Sequence, residues 1–230
     1  MKKSVLVVAA HPDDEILGCG GIIAKHSEKN DDVHVLIAAE GYSARSRNER
    51  NSEDLDIINH LKVCAKKANR LLGAKSIDFL DLADNRLDSL DRLDLIQKLE
   101  SVIIRHNPDI VYVHHLGDLN IDHRRLHEAV LTACRPIPGQ SVRQILSYEI
   151  MSSTEWQTPN CGLYFIPNWY EDISDQWLKK KEALKVYASE MREWPHSRSI
   201  KSLEILAKHR GSQVGLQKAE AFMLIRQIVQ

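Results

Sequence analysis

The chain has 230 residues, of which 43% are hydrophobic and 27% charged, and its formal net charge is −1. That length supports one sizeable core, read here as a single domain over residues 1–230. The near-neutral balance excludes a basic nucleic-acid footprint, and no apolar run approaches the roughly 20 residues of a membrane-spanning helix. The opening "MKKSVLVVAA" has two lysines and a short apolar run, as a signal peptide does. Its run is β-branched and ends in acids without a small-residue cleavage site, so it reads as a first strand of a cytoplasmic protein. Cys19, Cys64, Cys134 and Cys161 form no CxxC pair and read as reduced, structural thiols.

In chain order, "SVLVVAA" (4–10) is a continuous apolar run, the pattern of a strand buried on both faces. A helix over 20–30 and a second buried strand over 33–39 complete a βαβ unit. After the polar stretch "EGYSARSRNERNSED", apolar residues recur at helical spacing over 55–73, and Gly73 closes that helix. The pattern continues with a strand (76–82), a helix (92–108), a strand (109–115), a helix (122–136) and a strand (144–150). Beyond it, "YFIPNWYEDIS" reads as a strand followed by an extended segment. A helix with a basic face (175–190), a helix within "SIKSLEILAKHRGSQVG" and a closing strand (219–229) finish the chain. The alternation predicts an α/β fold: a three-layer, Rossmann-like, mostly parallel sheet with helices on both faces.

In such a sheet, ligands sit beyond the C-terminal ends of the strands. Two His- and acid-rich stretches, "HPDDE" (11–15) and "HHLGDLNIDHRRLHEA" (114–129), fall at such ends. His11 and Asp14, separated by two residues in a turn, can point an imidazole and a carboxylate at one metal ion. His123 is the best third ligand, with His114, His115 and His127 competing. His26, His34, His60, His106 and His209 read as packing or surface residues. Strand alternation sends one of His114 and His115 into the sheet face; His115 is the one assigned to substrate. Gly18, Gly20 and Gly21 follow the acids and do not themselves join strand to helix, so close helix-to-sheet packing explains them better than a phosphate cradle. Arg45, Arg47 and Arg50 crowd the stretch after the second strand, where a guanidinium can bind sugar hydroxyls or phosphate; Arg50 is assigned to substrate. Asp84 follows the third strand and is assigned to a sugar hydroxyl.

"AHPDDEILGCGG", "GDLNIDHRRLHEAV" and "RGSQVGLQKAEAF" together resemble the PIG-L/LmbE-type zinc-dependent N-acetylglucosaminyl deacetylases, over most of the chain. The resemblance implies a Rossmann-like fold and removal of acetyl groups from a small-molecule amino sugar or its conjugate. It implies Zn²⁺, or another divalent ion, on His11, Asp14 and His123, with Asp13 as general base. Where the family often carries "HPDH" this chain has "NIDH", so Asn120 stands in for a histidine that helps stabilise the oxyanion. Asp122 is expected to orient an imidazole from behind the metal. "WPHSRS" (194–199) resembles a segment at the pocket rim, which makes His196 and Arg198 substrate contacts. The expected partner is this substrate, with no nucleic acid and no membrane anchor; assembly as a homo-oligomer is compatible with the family. The alternatives are a metal-dependent hydrolase of another bond, such as a phosphoester or a different amide, and a non-catalytic amino-sugar binder.

Overall fold

The computed structural model describes residues 2–46, 52–159 and 162–229. Seven strands form one sheet: β1 (Ser4–Ala9), β2 (Asp32–Ala39), β3 (Ser76–Leu82), β4 (Ile110–His114), β5 (Gln144–Tyr148), β6 (Trp169–Asp172) and β7 (Ala219–Gln227). Their order is β3-β2-β1-β4-β5-β7-β6, with β1 to β5 parallel and β7 antiparallel to both its neighbours. Among the described residues, six helices surround it: α1 (Asp14–Glu28), α2 (Ser52–Leu72), α3 (Arg92–His106), α4 (Ile121–Ala133), α5 (Trp177–Val186) and α6 (Ile200–Ser212).

The valine-rich run of β1 explains the layering. Val5, Val7 and Ala9 pack into one core with α1, α2, α5 and α6. Leu6, Val8 and Ala10 pack into a second core with α3 and α4. Successive side chains of a strand face opposite ways, so a central strand covered on both sides has no polar position to spare. The expected three-layer α/β sheet is the fold observed. Among the described residues no helix is long and apolar enough to cross a membrane.

Three elements differ from the sequence reading. Helix α1 starts at Asp14 rather than at residue 20, so Asp14, Glu15 and the glycines lie inside it. Glycine is a poor helix former, and Gly18, Gly20 and Gly21 hid the first half of this helix. Its use here is packing: a Cβ on Gly18 would run into the Tyr148 ring, and one on Gly21 would lie 2.6 Å from Ile173. In the segment before β7, the extended stretch comes first and strand β6 second, the reverse of the expectation. The basic face of α5 is interrupted by Lys180, which is buried and paired with Glu220 at 2.7 Å. Lys180 also donates to the Leu17 carbonyl of α1, and Glu220 accepts from the Gly21 and Ile22 amides.

Candidate functional site

A cavity of about 330 Å³ opens where the chain leaves β1 to β5, lined chiefly by polar side chains. It is the crevice that a parallel sheet leaves beyond its C-terminal strand ends. His11 follows β1, Asp84 and Asn85 follow β3, Asn120 and His123 follow β4, and Ser152 and Ser153 follow β5. Residues some 110 positions apart meet there because β1 and β4 are neighbours in the sheet.

At its centre, Asp14 Oδ2 lies 3.2 Å from His11 Nδ1 and 3.1 Å from His123 Nε2. These two separations match the edge of a tetrahedral ligand set, which for bonds of about 2.0–2.1 Å is ~3.3 Å long, and all three atoms lie within 4.8 Å of one another. Both imidazoles are backed by acids on their far nitrogens. His11 Nε2 is 3.1 Å from Asp122 Oδ2 and 3.1 Å from Asp84 Oδ1. His123 Nδ1 is 3.1 Å from Asp118 Oδ1. The Asp122 carboxylate holds the proton on His11 Nε2 and leaves Nδ1 with a lone pair for a metal, whereas Asp118 lies beside His123 Nδ1 without the angle of a hydrogen bond. On donor type, spacing and backing, the residues fit a divalent ion. His11, Asp84 and Asp122 form a second close group; its Asp122 oxygens accept the Asn85 and Leu87 amides, as Asp14 Oδ2 accepts the His11 amide at 3.0 Å.

The electrostatics follow from this geometry. Burial works against a charged imidazole at His123, but Asp14 and Asp118 outweigh it and hold its pKa at about 9. Burial works the same way at His11, where Asp122, Asp14 and Asp84 raise the pKa well above the ordinary value. Burial would raise Asp14, but the imidazoles of His123, His114 and His11 pull it well below the usual carboxylate range. Asp13 behaves in the opposite way: burial pushes it up to about 8 although Arg198 opposes the shift. Arg198 Nη1 donates to Asp13 Oδ2 at 3.0 Å, and its Nε donates to Ser152 Oγ at 2.9 Å.

Of the other histidines of the second cluster, His114 stays against the site, its Nε2 3.5 Å from Asp14 Oδ2, and the others turn elsewhere. His114 Nε2 accepts the Ala10 amide at 2.8 Å, and its ring stacks on His123 at 3.8 Å. His127 Nδ1 donates to the His114 carbonyl. His115 was assigned to substrate, but it does not line the cavity: its Nε2 donates to the Leu163 carbonyl at 3.0 Å and its ring meets Phe165. Strand alternation carries it away from the crevice. His196 also sits behind the wall, where its Nδ1 accepts the Arg198 amide at 2.9 Å. Asp84 and Arg198 line the cavity, whereas Arg50 lies outside the described residues, as do Arg47 and Cys161. Asn120 lines it too, and its Oδ1 caps α4 by accepting the Asp122 amide at 2.8 Å.

Two residues were not singled out in the sequence. Asp118 is fully buried and accepts from the Asn120 amide, from Thr154 Oγ1 at 2.6 Å and from Ser153 Oγ, besides facing His123. Glu190 lies after α5 and closes one side of the cavity in a two-pronged pair with Arg45, at 3.1 and 2.6 Å. "GDLNIDH" carried a readable signal for Asp118, an acid five residues before a candidate ligand; nothing local marks Glu190.

Comparison with known proteins follows the same lines. Residues 6–134 match the family described as PIG-L, GlcNAc-PI de-N-acetylase. The uncharacterised deacetylase YaiS of Escherichia coli K12 is 31% identical over 194 residues, covering 82% of this chain and 92% of that protein. The diacetylchitobiose deacetylase of Thermococcus kodakarensis is 26% identical, covering 97% of this chain and 83% of that one. Among solved structures, the 4-carboxy-2-hydroxymuconate hydratase of Pseudomonas putida KT2440 shares the fold with a TM-score of 0.79 at 24% identity, covering 100% and 98% of the two chains.

Proposed function

The chain belongs to the PIG-L, GlcNAc-PI de-N-acetylase, family, and from that premise we propose that it is a metal-dependent hydrolase that removes the N-acetyl group from an amino sugar or its conjugate. The observation that carries the reading is the triad of His11, Asp14 and His123, each imidazole backed by a carboxylate, with the buried Asp13 beside it. Fold alone does not choose the reaction, as the likeness to a hydratase illustrates. The deacetylases named among the relatives favour the acetamide as the reacting group.

In this reading His11 Nδ1, Asp14 Oδ2 and His123 Nε2 hold the ion, and nitrogen and oxygen donors in threes suit Zn²⁺. When bound, such an ion supplies Lewis-acid polarisation and lowers the pKa of a water it holds. Asp13 accepts the proton of the attacking water and returns it to the leaving amine. The acetamide C–N bond breaks, and the products are acetate and a free amine. Burial keeps Asp13 near the neutral range that a proton carrier needs, and Arg198 holds its carboxylate in place. Asn120 has spent its oxygen on the helix cap, which leaves its amide N–H groups for the oxyanion. Asp122 and Asp118 fix the orientation of His11 and His123. Asp84 receives a sugar hydroxyl at the wall. Reduced Cys19, Cys64 and Cys134, all buried, accord with a cytoplasmic enzyme.

The test is acetate release from a panel of N-acetylated hexosamines, free, nucleotide-linked and β-linked, with and without chelator and added Zn²⁺. Chelator-sensitive acetate release is expected. Sugar binding without acetate release from any member of the panel would contradict the hydrolase and favour a binder.

A further inference from the structure

Asp13 has an unusual backbone. It is the N-cap of α1, yet its φ is 111°, a region that a residue with a Cβ seldom adopts. An N-cap aspartate ordinarily spends its carboxylate on the first free amides of its helix. Asp13 makes no such bond, so its carboxylate is left to Arg198 and the cavity. Strained backbone of this kind persists only where neighbours over-determine it.

The neighbour that does so is Glu15. It is fully buried, and its Oε2 accepts the Asp13 amide at 3.0 Å. This is the backward half of a capping box, made from one position earlier than usual. Its Oε1 is pinned by Tyr187 Oη at 2.6 Å and Asn69 Nδ2 at 2.9 Å, so residues on α2 and just after α5 fix where the carboxylate stands. Three donors converge on two oxygens, an arrangement that a carboxylate satisfies and that a neutral amide, with one oxygen and one NH₂, does not.

We propose that Glu15 is a positioning residue for the base: by taking the Asp13 amide it holds the positive-φ backbone that turns the Asp13 carboxylate away from its own helix and into the cavity. The inference rests on the hydrolase reading above for the name "base", whereas the geometric claim about Asp13 stands apart from it. Among the described residues, Glu15 does not line the cavity, and its side chain reaches the lining by the hydrogen bond to the Asp13 amide. Its effect is therefore expected on turnover and not on substrate binding.

The test is Glu15→Gln in the full chain loaded with Zn²⁺, read by kcat, KM, metal stoichiometry and a crystal structure of the variant. A displaced base costs about 10²-fold in rate. The expected result is a kcat lowered by that order, an unchanged KM, full metal content, and an Asp13 that has left positive φ and the Arg198 contact. An Asp13 that keeps its backbone, a kcat that does not fall, or a kcat that falls only with loss of metal would each overturn the inference. If Glu15→Gln does not fold, Tyr187→Phe removes one of the pins. It is expected to lower kcat less, at unchanged KM and metal content, and an unaltered kcat there would overturn the inference too. A parent chain that releases no acetate would count against the hydrolase reading alone, since the structure of the variant still reports on Asp13.

Discussion

The two ends of the parallel sheet each hold a pair of close histidines, and they are opposites. At the C-terminal end His11 and His123 lie with ring centroids 5.4 Å apart, and each is faced by acids on both nitrogens. At the N-terminal end His34 stacks on His106 at 4.0 Å; His34 Nδ1 meets only the Ser76 hydroxyl, while His106 reaches Asp78. The result is a pKa of about 9 at His123 and about 4 at His34, where burial and the neighbouring His106 and Lys75 disfavour charge. Both side chains are buried. Burial therefore does not decide what a histidine can do; the placement of carboxylates does. In the proposed reading the first pair gathers a cation; the second stays neutral and packs.

The comparison yields predictions of decreasing size. His123→Ala should abolish stoichiometric metal, whereas His34→Gln should retain it; elemental analysis of the two purified variants checks this. Asn120→Ala should leave metal content intact and lower kcat by about 10²-fold, as loss of one oxyanion donor does; steady-state kinetics would show an unchanged rate if the amide has no such role. Asp118→Asn should weaken metal binding by about 10–100-fold through a loosened His123, measured by chelator competition. Asp78→Asn, its counterpart at the other end, should leave metal affinity alone. The smallest effect concerns stability. His34 binds its proton less readily folded than unfolded, so stability is fully present above pH ~6.5 and is lost as pH falls toward ~4. Urea unfolding at pH 7 and pH 5 should show a smaller loss in His34→Gln than in the parent chain.

Much of this was legible in the sequence because it depends on local pattern. The apolar runs at 4–10 and 33–39 mark strands buried on both faces, and their alternation with helices places "HPDDE" and "NIDH" at one end of the sheet. His11, Asp14 and His123 meet as the spacing suggests. What escaped depends on partners distant in sequence. The first half of α1 was hidden by glycines whose reasons, Tyr148 for Gly18 and Ile173 for Gly21, lie more than 120 residues on. His115 and His114 look alike in the sequence, and only the register of β4 against its neighbours separates them. Glu190 acquires its place from Arg45 across the cavity, and Glu15 from Asn69 and Tyr187, contacts that no periodicity announces.

The central claim is that Asp13 moves the proton while its neighbours hold the metal, and Asp13→Asn tests it most directly. The variant keeps the shape and removes the acid. Metal content and acetate release should be measured on the same preparation. The account predicts full Zn²⁺ occupancy with turnover lowered by about 10²–10⁴-fold, the range for loss of a general base. Turnover near that of the parent chain would contradict it, and so would loss of the metal itself, which would make Asp13 a ligand and not the base.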